Sequence, residues 1–423
     1  MHRRLLPSPT RKIETDVCVV GAGLLGLAHA LEARRRGLNV VLLDRGARAG
    51  GASVRLSGHL FFSALESGTA LDAAPLARQR WLELARRAGT VADQGGTLII
   101  ARHREELAVL EAAAAEPLRQ ARVRSRKKVG RLVPIPIDGV LGAFHAKQDL
   151  RIGPRSAPAA LARLLRSDPG ARVEWGAHVH GIEPGVVHAG SLRVRADAII
   201  VCPGAEQRTL PPELRPRIAV RFQQAQMLRL AAPSGRRYRQ TLATGLSLLA
   251  YPGFGSQQGI ALLRDRLELK APELVQSGVS PILTQLSDGD LICGSTTTYT
   301  DRPAPYSRER LDDLMLAQAR SLLGSSPSVR QRWTSTQVAA PGATGDFLTT
   351  RPMVGVRIVQ AVRSTAAALC HWHAATVLDE LLAGPSTADM YITVRDTRDV
   401  ADVGGVREHA CAFESRPGRS SEP

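Results

Sequence analysis

Residues 14–45 read ETDVCVVGAGLLGLAHALEARRRGLNVVLLDR, and this stretch decides the fold. An apolar strand, DVCVV, leads into the glycine turn GAGLLG at 21–26. A helix follows and ends at Gly37, and a second apolar strand ends at Asp44. Strand, turn, helix and strand in this order form a βαβ unit with two parallel strands. We therefore predict an α/β protein whose first sheet is parallel and Rossmann-like.

The turn has the G-x-G-x-x-G spacing of dinucleotide-binding proteins. Gly21 permits a tight turn, Gly23 lets a pyrophosphate approach the backbone, and Gly26 lets the helix pack closely against the strand. The helix N-terminus presents free N–H groups to the phosphates. Asp44 lies 18 residues after Gly26 and is placed to accept hydrogen bonds from a ribose diol. Its charge disfavours the 2′-phosphate of NADP, and the sequence predicts an ADP-binding site.

The segment after Asp44 favours FAD over NAD. It runs from Arg45 to Arg55 as RGARAGGASVR, and it contains a glycine pair followed closely by a serine. Such a segment would place a second backbone surface against the pyrophosphate and the ribityl chain, whereas NAD-binding units usually continue into another helix and strand. We therefore expect FAD to be the cofactor.

These residues resemble the FAD-dependent D-amino-acid oxidase, glycine oxidase and sarcosine oxidase family, the DAO family. The similarity runs from about residue 14 to residue 383 and is strongest in the first fifty positions. Residues 141–155 (LGAFHAKQDLRIGPR), 196–205 (ADAIIVCPGA) and 244–254 (TGLSLLAYPGF) also resemble a bacterial subgroup associated with aminophosphonate oxidation. The resemblance implies a discontinuous FAD domain, a substrate domain built on an antiparallel sheet, and oxidation of a C–N bond by hydride transfer to the flavin.

Two stretches depart from the family pattern. The family's last strand and helix meet at a glycine-rich turn beside the flavin ring, but residues 363–369 here read RSTAAAL, in which Ser364 or Thr365 would cap the helix. Residues 56–60, LSGHL, also differ. Both departures fall near the isoalloxazine ring rather than near the ADP half. The predicted FAD contacts are Gly21, Ala22, Gly23, Leu24, Leu25, Gly26, Asp44, Arg45, Gly50, Gly51, Ala52, Ser53, Gly58, Val179, Gly204, Thr365 and Ala366.

Four residues are candidates for the substrate site. Arg351 and Arg221 are placed to form a bidentate clamp on a carboxylate or phosphonate. His145 and Tyr251 lie in segments that match the family and are candidates for the pocket wall. The alternative for each is an exposed or structurally paired side chain. No side-chain nucleophile is required, because the flavin performs the chemistry.

The predicted domain organisation is discontinuous. It comprises an N-terminal arm at 1–13, an FAD-binding domain from 14–90, 150–210 and 341–385, a substrate domain from 91–149 and 211–340, and a polar, partly disordered tail at 386–423. We expect a second long helix at about 65–89. Within 217–340 we expect an antiparallel sheet with short strands, including SLLAYPGF at 247–254, and one helix at about 307–323.

The segment Cys370-His371-Trp372-His373 has the composition of a metal site, but we predict packing instead. On a helix, residues 371 and 373 point about 200° apart and cannot hold one ion from a common face. A covalent flavin link through Cys370 or His59 is a weaker alternative. The five cysteines include no C-x-x-C pair, and no apolar run is long enough to cross a bilayer. Without a signal-peptide pattern, we expect a cytoplasmic protein.

The net charge of +17 raises the alternative of a nucleic-acid partner. Of the 56 basic residues only five are lysines, and the arginines are spread along the whole chain without interleaved aromatic residues. We therefore expect a small-molecule amine substrate, no nucleic acid and no membrane insertion, with the electron acceptor left open. Two alternatives remain: a degenerate flavoprotein that binds FAD or ADP without turnover, and a basic nucleic-acid-associated protein.

Overall fold

The computed structural model describes residues 11–215, 220–233, 235–340 and 343–383. Within them the strands are β1 Arg11–Val20, β2 Val40–Asp44, β3 His59–Leu60, β4 Ala92–Asp93, β5 Thr97–Ala101, β6 Ala121–Ser125, β7 Gly142–Ala146, β8 Leu150–Ile152, β9 Ala171–Trp175, β10 Val179–Glu183, β11 Val186–Ala189, β12 Leu192–Val201, β13 Arg221–Leu230, β14 Thr241–Thr244, β15 Ile282–Gln285, β16 Leu291–Gly294, β17 Thr298–Thr300, β18 Val329–Ala339, β19 Phe347–Thr350 and β20 Val356–Ala361.

The helices are α1 Leu24–Arg35, α2 Thr69–Asp72, α3 Ala74–Arg87, α4 Arg104–Ala114, α5 Arg126–Leu132, α6 Ala157–Arg166, α7 Ser247–Ala250, α8 Pro252–Gly255, α9 Ile260–Lys270, α10 Pro272–Gln276, α11 Glu309–Leu323 and α12 Ala366–Leu382. None of the helices in the described ranges is long and apolar enough to span a bilayer.

The first sheet has a parallel centre. Strands β20, β12, β1, β2 and β9 are adjacent in this order and pair in parallel, while β10, β11 and β19 add antiparallel edges. Apolar side chains of α1, α3, α6 and α12 form one core with this sheet, and residues of the β10–β11 hairpin contribute to a second core. The predicted α/β fold class is confirmed, since a parallel sheet occurs together with antiparallel sheets.

The glycines of the first turn are required by close backbone approach. Gly21 has φ +102°, and a Cβ there would lie 2.4 Å from the carbonyl oxygen of Cys202, at the end of β12. A Cβ on Gly26 would lie 1.7 Å from the carbonyl oxygen of Gly21. No side chain fits at these distances. The two glycines therefore allow α1 to begin directly against the carboxyl ends of β1 and β12.

The second large sheet is mostly antiparallel. Its strands follow the order β17, β13, β16, β15, β14, β5, β7, β6, and β18 pairs with β13. Helices α4, α9 and α11 contribute apolar residues to its core. The small third sheet, β3–β8–β4, contains the segment around His59. Apart from residues 11–13 of β1, the strands of the two large sheets fall in the two sets of residues that the sequence assigns to separate domains. The two-domain division itself stays a prediction.

Several predicted elements differ in the structure. Residues 247–254, expected as a strand, form the short helices α7 and α8, with Pro252 in the first turn of α8, a position where proline is favoured. Helix α9 was not expected, because it has apolar residues on both sides: Leu263 is buried while Leu262 and Leu269 are exposed. Its helical periodicity is therefore weak.

Two further boundaries differ. Strand β1 begins at Arg11, inside the predicted arm, because residues 11–13 pair with β12. The helix expected at 65–89 is divided into α2 and α3, and Gly68 before α2 has φ +95°. The predicted polar tail at 386–423 lies outside the described residues.

Candidate functional site

A cavity of about 760 Å³ opens at the carboxyl ends of the parallel strands. Ligands of open α/β sheets usually bind at this edge, and the volume lies in the range of small-molecule sites. Its walls comprise residues of the glycine turn and of 43–56, 177–179, 201–206 and 359–370. The cavity therefore extends from the β1–α1 turn to the start of α12.

Asp44 supports the glycine turn at one end of this cavity. Its Oδ2 accepts a hydrogen bond from the Ala22 N–H at 2.6 Å, and its Oδ1 accepts one from the Gly46 N–H at 2.7 Å. A carboxylate has about four lone-pair sites, so two remain available to a ribose diol. Asp44 thus shapes the turn and keeps acceptor capacity toward the cavity.

The N-terminus of α1 faces the same cavity. The N–H of Leu24, the first residue of the helix, donates to Oγ of Ser53 at 3.0 Å, and a Cβ on Gly23 would lie 3.1 Å from that oxygen. Leu24 and Ser53 both line the cavity. More arginines than carboxylates line it. The arginines are Arg45, Arg48, Arg55 and Arg363, and the carboxylates are Asp44 and Glu206. The positive end of the helix dipole and the excess positive charge suit an anionic pyrophosphate.

Most of the predicted cofactor contacts come together here. Those in the cavity walls are Gly21, Gly23, Leu24, Leu25, Gly26, Asp44, Arg45, Gly50, Gly51, Ala52, Ser53, Val179, Gly204 and Ala366. Ala22 lies behind the turn and donates to Asp44. Gly58 lines a neighbouring cavity instead.

The glycine-free turn before α12 closes the other end of the cavity. Ser364, Ala366 and Ala367 line it, but Thr365 does not. Of the two predicted caps, Ser364 and Thr365, Thr365 stands at the N-cap but makes no cap hydrogen bond, and its buried hydroxyl donates to Oδ1 of Asp346. The cavity surface at this turn comprises the side chains of Arg363, Ser364, Ala366 and Ala367.

A smaller cavity of about 80 Å³ adjoins the large one. Both are lined by Leu24, Ser53, Leu56, Gln337, Ser364 and Ala367. The remaining polar side chains of its wall are neutral: Ser57, His59, Gln223, Tyr251, Ser280, Ser295 and Thr297. No lysine or arginine of the described residues lines it. The two cavities together can hold a long cofactor and, beside one end of it, a small substrate.

Tyr251 is the substrate candidate that lies in this wall. Its ring packs edge-on against Phe61 at 4.8 Å, and like Ser364 it lines the small cavity. Burial raises the pKa of Tyr251 to about 12. Tyr251 is therefore a neutral hydrogen-bonding group at the junction of the two cavities.

The other three candidates lie elsewhere. Arg351 is exposed and pairs with Glu380 at 2.7 Å, and Arg221 is exposed with Asp301 at 3.5 Å. His145 is buried in β7, where burial and the nearby cations lower its pKa to about 4. None of the three lines either cavity. The structure does not bring the predicted arginine clamp to the site.

Several wall residues were missed from the sequence. Gln337 on β18 and Gln223 on β13 are opposite each other in the antiparallel register, and Ser364 and Arg363 precede α12. All four lie far from the glycine turn in sequence. Strand pairing places the two glutamines at the site, and the connection from β20 to α12 places Ser364 and Arg363 there. The absence of glycine from residues 363–369 is the sequence signal that pointed to the segment with Arg363 and Ser364.

The two histidines of α12 point to different neighbours, as their spacing predicts. His371 contacts Trp81 at 4.6 Å, and His373 stacks on Phe347 at 4.0 Å. In the part of the chain that the structure describes, no group of three or more His, Cys, Asp or Glu side chains is arranged to hold a metal ion.

Residues 16–381 match the family model described as DAO, FAD dependent oxidoreductase. The chain belongs to this family. The match covers every wall of the two cavities and both large sheets apart from residues 11–15 of β1. No curated protein sequence matches the chain significantly.

Several solved structures have the same fold. Glycine oxidase from Geobacillus kaustophilus has a TM-score of 0.69 at 16% identity, with 89% of this chain and 96% of that chain covered. L-proline dehydrogenase from P. horikoshii has a TM-score of 0.72 at 13% identity, covering 90% and 96%. L-alpha-glycerophosphate oxidase from Mycoplasma pneumoniae, solved with FAD bound, has a TM-score of 0.68 at 14% identity, covering 87% and 95%. At these identities the similarity establishes the DAO fold.

Proposed function

We propose that this DAO-family chain is an FAD-dependent oxidoreductase that oxidises the C–N bond of a small amine or amino acid. The observation that carries the proposal is the junction of the two cavities. A long, positively charged cavity at the α1 N-terminus ends beside a small cavity of neutral polar groups. The names of the similar glycine oxidase and proline dehydrogenase support a C–N substrate.

The residues present fit FAD. We infer that the helix N-terminus and Ser53 hold the pyrophosphate, that Asp44 binds the ribose, and that Val179 and Gly204 contact the adenosine side. FAD, when bound, supplies the hydride acceptor. The turn at 364–367 and Tyr251 then orient the substrate and exclude water from the small cavity.

The narrower form of the proposal is an aminophosphonate substrate, which rests on the sequence resemblance of residues 141–155, 196–205 and 244–254. The lack of a lysine or arginine among the described residues of the small cavity favours a substrate whose anionic group is bound by hydroxyl and amide donors, or one without such a group. Small amines and neutral zwitterions are therefore the first substrates to test.

The visible spectrum of the purified protein tests the function directly. We expect a yellow preparation, or one that FAD turns yellow, whose flavin absorbance bleaches without oxygen on adding an amine. The panel comprises glycine, proline, N-methyl amines and short aminophosphonates. Re-oxidation by air or by an artificial acceptor then distinguishes an oxidase from a dehydrogenase. A protein that FAD cannot reconstitute would contradict the proposal.

A flavoprotein without turnover is the second candidate. The specific observation in its favour is that Ala366 and Ala367 line the large cavity at the turn where the family pattern has glycine. A yellow protein whose flavin bleaches with dithionite but with none of the amines would favour this second candidate.

A further inference from the structure

His59 lies in the wall of the small cavity, and a buried hydrogen-bond chain holds its ring. Nε2 of His59 lies 2.7 Å from Oγ1 of Thr97, which is fully buried. The hydroxyl of Thr97 also acts on the buried carboxyl of Asp149, where it favours the ionised form and lowers the pKa. Asp149 also accepts hydrogen bonds from the backbone N–H and the hydroxyl of Ser63, each at 2.8 Å. The chain therefore runs from the cavity wall to a buried carboxylate.

The ionised carboxylate of Asp149 determines which atom donates in each hydrogen bond of this chain. An ionised carboxylate only accepts hydrogen bonds, so the single hydroxyl proton of Thr97 is donated to Asp149. Oγ1 of Thr97 must then accept the hydrogen bond from His59, and Nε2 of the ring carries the proton. In a neutral imidazole this tautomer leaves Nδ1 as an acceptor with a free lone pair.

His59 is partly buried and lines the small cavity. Its Nδ1 has no hydrogen-bond partner among the described residues and is not one of their fully buried unpartnered atoms. Burial and the guanidinium of Arg151 lower the pKa of His59 to about 3. The ring is therefore neutral at neutral pH, and its one unused polar atom is a hydrogen-bond acceptor.

The orientation of this ring is rigidly set. Gly58, directly before it, has φ +77°, and a Cβ there would lie 2.1 Å from the carbonyl oxygen of Ile152. The hydroxyl of Thr284 donates to the carbonyl oxygen of Ser57 at 2.9 Å. Phe61 packs against the His59 ring at 4.5 Å. A preorganised acceptor of this kind loses little entropy when a ligand binds.

We propose that Nδ1 of His59 accepts a hydrogen bond from the amine of the substrate, and that Thr97 and Asp149 are positioning residues that fix its tautomer. This inference rests on the proposed function, because it assigns the small cavity to an amine. A neutral acceptor stabilises an N–H donor and offers nothing to an alkyl group of the same shape. His59 therefore selects amines and directs the nitrogen toward one side of the cavity.

Asp149 makes this recognition sensitive to pH. Burial raises the pKa of Asp149 to about 6, and a protonated carboxyl can donate to Thr97. Each hydrogen bond of the chain then reverses its direction. Thr97 donates to Nε2 of His59, the ring proton is carried by Nδ1, and an N–H donor instead of an acceptor faces the amine of the substrate. Amine affinity should fall as the pH drops through about 6. The charged and titratable groups around the chain are Arg78, Asp93, Arg119, Arg151 and Tyr251.

The tautomer can be measured by NMR on the FAD-loaded full chain labelled with ¹⁵N-histidine. The His59 signals are assigned by their loss in His59→Asn. At neutral pH we expect a protonated Nε2 and an unprotonated Nδ1. Thr97→Val should disturb this state, while Thr97→Ser should restore it because it keeps the hydroxyl. A wild-type ring protonated at Nδ1 would overturn the inference.

Binding provides a second readout, with 2-methylalanine and pivalate as probes. 2-Methylalanine has no hydrogen on its α-carbon and is not oxidised, and pivalate replaces its amine by a methyl group. From shifts in the flavin spectrum, we expect the preference for the amine to fall about tenfold in His59→Leu and Thr97→Val but not in Thr97→Ser. An unchanged preference in His59→Leu would refute the role of His59.

The two proposals fail in different ways. A wild type that bleaches with an amine while His59→Leu keeps the full amine preference overturns only the assignment of His59. A wild type that bleaches with none of the amines contradicts the proposed function, and with it the assignment that rests on it.

Discussion

At the scale of single residues, Gly26 shows how little space the first turn leaves. Its missing side chain is what allows α1 to contact the carbonyl of Gly21, which in turn lies against Cys202. The motif was recognisable from the sequence because its glycines are adjacent along the chain. Glycine is needed at these positions because neighbouring backbone atoms leave no room for a side chain, and not only because a cofactor binds there.

Gly26→Ala should therefore destabilise the protein even without FAD. The added Cβ would lie 1.7 Å from a backbone oxygen, so helix and strand must move apart, at a cost of about 1–3 kcal/mol. Gly255→Ala is the matched control, since a Cβ there meets nothing within 4 Å and its φ is not positive. Urea unfolding of both variants measures the difference. Equal stability of the two variants would show that the turn relaxes.

At the scale of elements, α12 packs on α1 and α3 through buried histidines. His29, His371 and His373 are enclosed between these helices and their neighbours. Nε2 of His29 and Nε2 of His371 are buried without a hydrogen-bond partner among the described residues. Burial lowers the pKa of His29 to about 4 and that of His371 to about 3. The helix layer thus holds its histidines in the neutral form.

This packing predicts a loss of stability in acid. Because the folded-state pKa values lie below the usual 6.5, the unfolded chain binds protons first, and stability present above pH 6.5 is lost as the pH falls toward 4. Each buried histidine contributes about 2 kcal/mol to the loss between pH 7 and pH 5. His371→Phe should flatten the pH dependence of urea unfolding, while His180→Gln, at an exposed position, should not. The same slope in both variants would contradict the argument.

At the scale of the whole molecule, the large cavity lies against several separate parts of the chain. Its walls come from the first βαβ unit, the segment around residue 178, the end of β12, β18 and the start of α12. A ligand held by all of these stabilises the folded state by mass action, by about 2.7 kcal/mol at a concentration one hundred times its Kd.

FAD should consequently raise the melting temperature of the cofactor-free protein in a concentration-dependent way. Asp44→Asn should reduce this FAD-dependent shift, because an amide donates where a ribose hydroxyl needs an acceptor. Asp138→Asn, a highly exposed carboxylate paired with Arg126, is the control and should keep the full shift. Differential scanning fluorimetry with FAD measures all three proteins. An equal shift in both variants would refute the role of Asp44.

The sequence by itself determined the parallel βαβ unit and the family, and it predicted that the ADP half of the cofactor binds at the β1–α1 turn. All of these depend on residues that are close along the chain, such as Gly21, Gly26 and Asp44, whose spacing has a direct geometric meaning. It did not determine the small cavity. His59, Gln223, Gln337 and Ser364 belong to four distant segments, and strand register and the start of α12 bring them together. The exposed ion pairs of Arg221 and Arg351 were likewise decided by tertiary structure, because side-chain partners across sheets carry no local sequence signal.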